Sequence, residues 1–146
     1  MTPKAGMPGM KKTADKEEMP GMAMPMRDVA DLPFQSGLVN GKVRAHGTKG
    51  LLTTLEINDG ESIRLRLING SSTYGFRFQI DGHPLTVIAS DGSPMKPVVV
   101  DNLFFAPGER YDVLLKGQGR GIHWIRAATL DGNEVGAVLR YRGWQP

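Results

Sequence analysis

The sequence predicts an all-β fold, a sandwich or barrel of seven or eight short strands. Three observations carry that expectation. Apolar residues alternate with polar ones through most of the chain, the period of a half-buried strand. Turn dipeptides such as Asn69-Gly70, Asp81-Gly82, Asp91-Gly92, Pro107-Gly108 and Asp131-Gly132 recur between the alternating runs. No stretch of helical length has an apolar period of 3.6 residues free of Gly or Pro.

The 146 residues suit one domain, with 40% apolar content typical of a chain that buries its own core. No apolar run reaches the roughly 18 residues of a membrane-spanning helix. There is no cysteine, which removes disulfides, thiolate metal ligands and thiol nucleophiles together.

Residues 1–27 form the first segment, biased in Met, Pro, Gly and Lys and poor in aromatic and β-branched residues. Such a composition buries too little apolar surface to offset the entropy of ordering, so disorder is expected there. It also lacks the continuous apolar core of a signal peptide. Seven of the eight methionines lie in it, and the Pro-Gly pairs rule out a helix that would use them as a core stripe. Thioether sulfur is soft and neutral, a ligand suited to Cu(I). Met7 with Met10, Met19 with Met22, and Met22 with Met24 and Met26 carry spacings that let sulfurs converge on one ion. These six are candidate Cu(I) ligands; an incidental flexible linker is the alternative.

The second segment, residues 28–146, is the expected folded domain. A lead-in over 28–50 contains a turn at Asn40-Gly41. Strands are expected over 51–57 and 62–69, joined as a hairpin through Asn58-Asp59-Gly60-Glu61. In the second of them Ile63, Leu65 and Leu67 face one way, Arg64 and Arg66 the other. The pattern repeats at 76–80, 85–90, 98–105 and 111–116, and closing strands follow at 121–129 and 135–142.

The body's charge is nearly neutral. Five basic residues against three acidic ones put +2 in residues 1–27, and the remaining 13 basic and 12 acidic residues leave +1. That argues against a dedicated nucleic-acid surface. An outward row of Arg64, Arg66 and Arg77 keeps a five-stranded oligonucleotide-binding barrel as a secondary reading. Nucleophilic catalysis has little support, because Gly70-Ser71-Ser72-Thr73-Tyr74-Gly75 is not a Gly-x-Ser-x-Gly elbow before a helix. The three imidazoles, His46, His83 and His123, lie 37 and 40 residues apart, without the short spacings that make a metal site legible. His83, preceding Pro84 in a turn, is expected to hydrogen-bond locally, and His123 to be partly exposed. Both are weaker metal candidates than the methionines.

The wording of the strands resembles the cupredoxin-like domains of multicopper oxidases, the laccase and copper-resistance oxidase group. The resemblance rests on Val39-Asn40-Gly41-Lys42, on Gly60-Glu61-Ser62-Ile63-Arg64-Leu65-Arg66-Leu67-Ile68-Asn69, and on Phe78-Gln79-Ile80-Asp81-Gly82-His83-Pro84-Leu85. It continues through Pro107-Gly108-Glu109-Arg110-Tyr111-Asp112-Val113-Leu114, Trp124-Ile125-Arg126-Ala127 and Ala137-Val138-Leu139-Arg140-Tyr141-Arg142-Gly143. It implies a Greek-key cupredoxin sandwich, nearest to the middle domain of three-domain enzymes, as an isolated domain or fragment.

In copper-bearing domains of that family one strand carries His-Pro-Phe-His-Leu-His-Gly-His. Here the corresponding run is Phe76-Arg77-Phe78-Gln79-Ile80-Asp81-Gly82-His83, with Phe76, Gln79 and Asp81 at the ligand positions. The family's His-Cys-His has its counterpart in His123-Trp124-Ile125, with Trp124 at the thiolate position. The resemblance therefore implies a structural domain without copper in its folded body. Copper is then the cofactor of a parent oxidase that acts on phenols, related donors or Cu(I), and this chain alone is expected to be inactive. Neighbouring cupredoxin domains or self-association are the implied partners, with no nucleic acid and no membrane, in the periplasm or outside the cell. A stand-alone copper-binding protein or an engineered cupredoxin scaffold is the alternative.

Overall fold

The computed structural model describes residues 37–43 and 53–144. The Met-rich segment, most of the lead-in and His46 lie outside them.

Eleven strands are present and no helix among the described residues. A small ribbon comes first, β1 (Leu38–Val39) with β2 (Lys42–Val43), turned through Asn40-Gly41. Both turn residues sit at positive φ, +50° and +75°, which Asn and Gly tolerate better than other residues and which suits a tight hairpin. The rest are β3 (Thr54–Ile57), β4 (Ser62–Ile68), β5 (Phe76–Ile80), β6 (Leu85–Ser90), β7 (Ser93–Val100), β8 (Leu103–Phe105), β9 (Arg110–Lys116), β10 (Ile122–Ala128) and β11 (Glu134–Tyr141). They form a five-stranded sheet in the order β3-β11-β10-β5-β8 and a four-stranded sheet in the order β4-β9-β6-β7. Every pairing is antiparallel except β3 with β11.

Faces follow the alternation. Ile63, Leu65 and Leu67 point inward on β4, Phe78 and Ile80 on β5, Leu85, Val87 and Ala89 on β6, and Val113 and Leu115 on β9. Packed face to face they form one core with Ile57, Ile125, Leu139 and Tyr141. Five side chains, Ile57, Leu85, Val113, Leu115 and Leu139, are fully excluded from water.

Two of the expected strand arrangements are corrected. The hairpin over 51–69 is an arch: β3 runs beside β11, with Leu55 opposite Leu139, while β4 runs beside β9, with Leu65 opposite Val113. Its turn is tied to the end of β9 by Gly60 N donating to the Gly117 carbonyl at 3.0 Å and Gly117 N to the Glu61 carbonyl at 2.7 Å. The single strand over 98–105 is two. β7 ends at Val100 in one sheet, and β8 starts at Leu103 in the other. β7 begins earlier than its prolines suggest because it is an edge strand, where Pro94 and Pro97 need not complete a ladder on both sides. The split of one strand and the added ribbon account for eleven strands in place of eight.

The arginine row does not form. Arg64 and Arg66 lie on β4 and Arg77 on β5, in different sheets, and Arg64 is paired with Asp112 of the neighbouring β9.

Candidate functional site

The turn from β5 to β6 crosses between the sheets through Asp81-Gly82-His83, with Gly82 at φ +73°. His83 N donates to the Ile80 carbonyl at 3.0 Å, which folds its ring back into the sandwich, where it is 3% exposed. Its Nδ1 lies 2.9 Å from the Asp81 carbonyl, an acceptor only, so Nδ1 is the donor there. Nε2 then accepts from the Tyr141 hydroxyl at 2.7 Å, and that oxygen itself accepts from the Gln118 N–H at 2.6 Å. The local bond expected for His83 is present, and a second, to the end of β11, completes its valences.

His123, half-buried on β10, meets this pair from the side. Its ring centroid is 4.6 Å from that of His83, at 84° between planes, and 5.7 Å from that of Tyr141. Its Nε2 lies 3.1 Å from the Arg120 carbonyl. Two imidazoles 40 residues apart in the chain are thus packed edge to face, which their spacing concealed. Tyr141 was missed as a site residue. The alternation Val135, Ala137, Leu139, Tyr141 places it inward on β11, but only the sheet order brings it to His83.

The side chain of Asp81 points the other way. Arg126 on β10 donates Nε to both Asp81 oxygens at 3.2 and 3.3 Å, and Nη1 to Glu134 on β11 at 3.3 Å. The bonds it donates to Asp81 first, then to Glu134, hold Arg126 still more firmly protonated than usual. Asp81 thereby joins the inter-sheet turn to two strands. Gln79 lies opposite Arg126 in the ladder, and Phe76 opposite Phe105. Trp124 is exposed on the outer face, its carbonyl accepting from Asp81 N at 2.9 Å.

Asn69 is buried and binds the segment that follows it. Its Nδ2 donates to the Tyr74 carbonyl at 2.8 Å, and its Oδ1 accepts from Ser71 N at 3.0 Å. The Ser71 hydroxyl faces two acceptors, Asn69 Oδ1 and the Tyr74 carbonyl, so its one proton is committed to turn structure. Among the described residues no three His, Asp or Glu side chains converge as metal ligands.

At the edge of the five-stranded sheet Glu56 is paired with Arg140 and, at 3.7 Å, with Arg142. Arg140 is the main cause that holds the Glu56 carboxyl below its ordinary 4.5, outweighing the desolvation that opposes it, and Arg142 adds to it. A carboxylate lowered in the folded state stabilises it fully above the unfolded value and loses that contribution as pH falls through the folded one. Glu56→Gln is therefore expected to lower Tm modestly at neutral pH, as suits an exposed pair. The gap from the parent chain should narrow as melts are recorded down to about pH 3. A gap that widens in acid would contradict the assignment.

A two-sheet all-β sandwich of this strand order is a cupredoxin-like domain, the fold of its structural neighbours. A family model described as multicopper oxidase matches residues 4–144, and the chain belongs to that family. Laccase-4 of Thanatephorus cucumeris is 40% identical over 120 residues, which covers 74% of this chain and 23% of that protein. Copper resistance protein A of Escherichia coli is 37% identical over 120 residues, covering 81% of this chain and 19% of the other. The solved laccase from Botrytis aclada superposes with a TM-score of 0.58 at 34% identity, covering 66% of this chain and 19% of that one. The blue copper oxidase from Nitrosomonas europaea gives 0.54 at 28%, covering 62% and 31%. The chain spans about a quarter or less of the curated relatives it matches.

Proposed function

We propose that this chain is a structural cupredoxin-like domain of a multicopper oxidase, holding the middle position between copper-bearing domains, with a Met-rich segment that captures Cu(I). The parent oxidises phenols, related donors or Cu(I) while dioxygen is reduced to water, in the periplasm or outside the cell. The observation that carries this reading is the commitment of His83. Nδ1 is spent as a donor at 2.9 Å and the Nε2 lone pair as an acceptor at 2.7 Å, so the ring turns no lone pair to a vacant coordination position.

The donor set supports the same reading. A blue-copper centre needs a thiolate, and the chain has no cysteine. Phe76 and Trp124 offer no ligand atom, and Asp81 is engaged by Arg126. These residues do not fit a cupredoxin copper. His83 and His123 remain the weaker metal candidates, and Met7, Met10, Met19, Met22, Met24 and Met26 the stronger. When bound, Cu(I) would be held by thioethers alone, a neutral soft set that discriminates against hard cations.

Changing those six methionines to Leu in the full chain should abolish Cu(I) retention against a chromophoric chelator, with the far-UV spectrum of the sandwich unchanged. Retention that survives the six changes would refute the tail. An intense blue band on Cu(II) addition would refute the copper-free body.

A further inference from the structure

The hydrogen bond between Tyr141 and His83 has the geometry to move a proton as well as to hold a turn. A phenol that loses one electron becomes a strong acid, and its proton must leave for the radical to persist. An electron tunnels without contact, but a proton crosses only a hydrogen bond already formed. Here the Tyr141 hydroxyl donates to the His83 Nε2 lone pair at 2.7 Å, within the reach of a positioned base. Both residues are 3% exposed, so bulk water does not compete for the proton.

The surroundings suit the pair before and after such a transfer. Before it, Nδ1–H is fixed on the Asp81 carbonyl at 2.9 Å, which leaves Nε2 unprotonated and turned to the phenol. After it, that same bond becomes charge-assisted and steadies the imidazolium. The Gln118 N–H, 2.6 Å from the phenol oxygen, stays on it throughout and holds it in line. Tyr141 also lines an open cleft of about 710 Å³ with Arg120, Arg142 and Trp144. Only a short tunnelling path therefore separates the buried pair from an oxidant at the surface.

We propose that Tyr141 and His83 are a redox-active pair that stores an electron hole as a neutral tyrosyl radical beside an imidazolium. One electron passes from the phenol to a one-electron oxidant of the oxygen- or nitrogen-centred radical class. In the same step the Oη–H bond breaks and an Nε2–H bond forms, and re-reduction by one electron returns the proton. No copper takes part, so the inference is independent of the Met-rich segment.

Azidyl radical, generated by pulse radiolysis, is the probe oxidant; it takes one electron and leaves as azide. Applied to the full chain, it should give an indole radical whose absorption converts to that of a tyrosyl radical at a rate independent of protein concentration. The indole recovers its electron from Tyr141 and its proton from water. Tyr141→Phe should remove most of the tyrosyl signal, and Tyr111→Phe, whose ring meets Phe105 instead, should keep it. His83→Gln should slow the conversion by about 100-fold or more and make it depend on buffer base, as loss of a positioned base does. In the freeze-trapped parent, electron–nuclear double resonance should show coupling from the phenoxyl radical to isotope-labelled histidine nitrogen. That measurement needs no substitution, so it decides the matter even if His83→Gln unfolds. A tyrosyl signal undiminished in Tyr141→Phe, a hole that stays on indole, conversion in folded His83→Gln at the parent rate, or a radical without histidine coupling would each overturn the proposal.

Discussion

Leu115→Ala is expected to cost about 2–5 kcal/mol of unfolding free energy, the range for emptying a buried leucine site that relaxes only in part. Leu115 is fully buried on β9, a central strand, and its Cα neighbours across the ladders are Ile63 on β4 and Leu85 on β6. Strands on both sides limit how far the backbone can collapse into the vacated volume. Denaturant unfolding should show a lower midpoint at unchanged slope, since the same surface is still exposed on unfolding. Leu114→Ala, one residue earlier on the outward face, supplies the contrast and should stay within about 0.5 kcal/mol. Equal losses at the two positions would mean that the faces of β9 are wrongly assigned. A loss at the upper end of the range would be a large share of the roughly 5–15 kcal/mol that holds a domain folded.

That contrast is legible in the sequence because it is local. Alternation with period two is a property of neighbouring residues, so Ile63, Leu65, Leu67, Val113 and Leu115 declare their side before any partner is known. What alternation cannot supply is the partner. Leu55 lies opposite Leu139, 84 residues away and in parallel, a pairing that no turn encodes. The Asn58-Asp59-Gly60-Glu61 turn looks like a hairpin because a tight turn serves equally well to arch from one sheet to the other. The break at Asp101-Asn102 is hidden for a related reason. Leu103, Phe104 and Phe105 continue an apolar run, yet they pair with β5 rather than with β6.

The same limit governs the site. His83 is recognisable as a turn residue, and its bond to the Asp81 carbonyl spans two positions. Its contacts with His123 and Tyr141 depend on β10 and β11 lying side by side, and on the crossing turn being folded over them. Spacing rules for metal ligands therefore overlooked a real cluster of rings. The hydrogen bonds then show that His83 serves as an internal tie between the β5–β6 turn and the end of β11.

Tyr141→Phe tests that tie with the least disturbance of packing. The ring stays, and only the hydroxyl is lost. Its removal strands two groups at once, the Nε2 lone pair of His83 and the N–H of Gln118. Leaving a buried polar group unsatisfied costs about 1–3 kcal/mol, whereas a hydroxyl that merely packed would cost little. The stability loss should come with faster amide exchange at Gln118 and a displaced His83 imidazole nitrogen resonance, two signatures that lost packing does not produce. His83→Leu provides the closing arm of a cycle. If the two side chains act through one bond, the double variant should lose less than the sum of the single ones, by about 0.5–3 kcal/mol. Additive losses, or a neutral Tyr141→Phe with unchanged exchange at Gln118, would mean that this bond contributes nothing to holding the turn against β11.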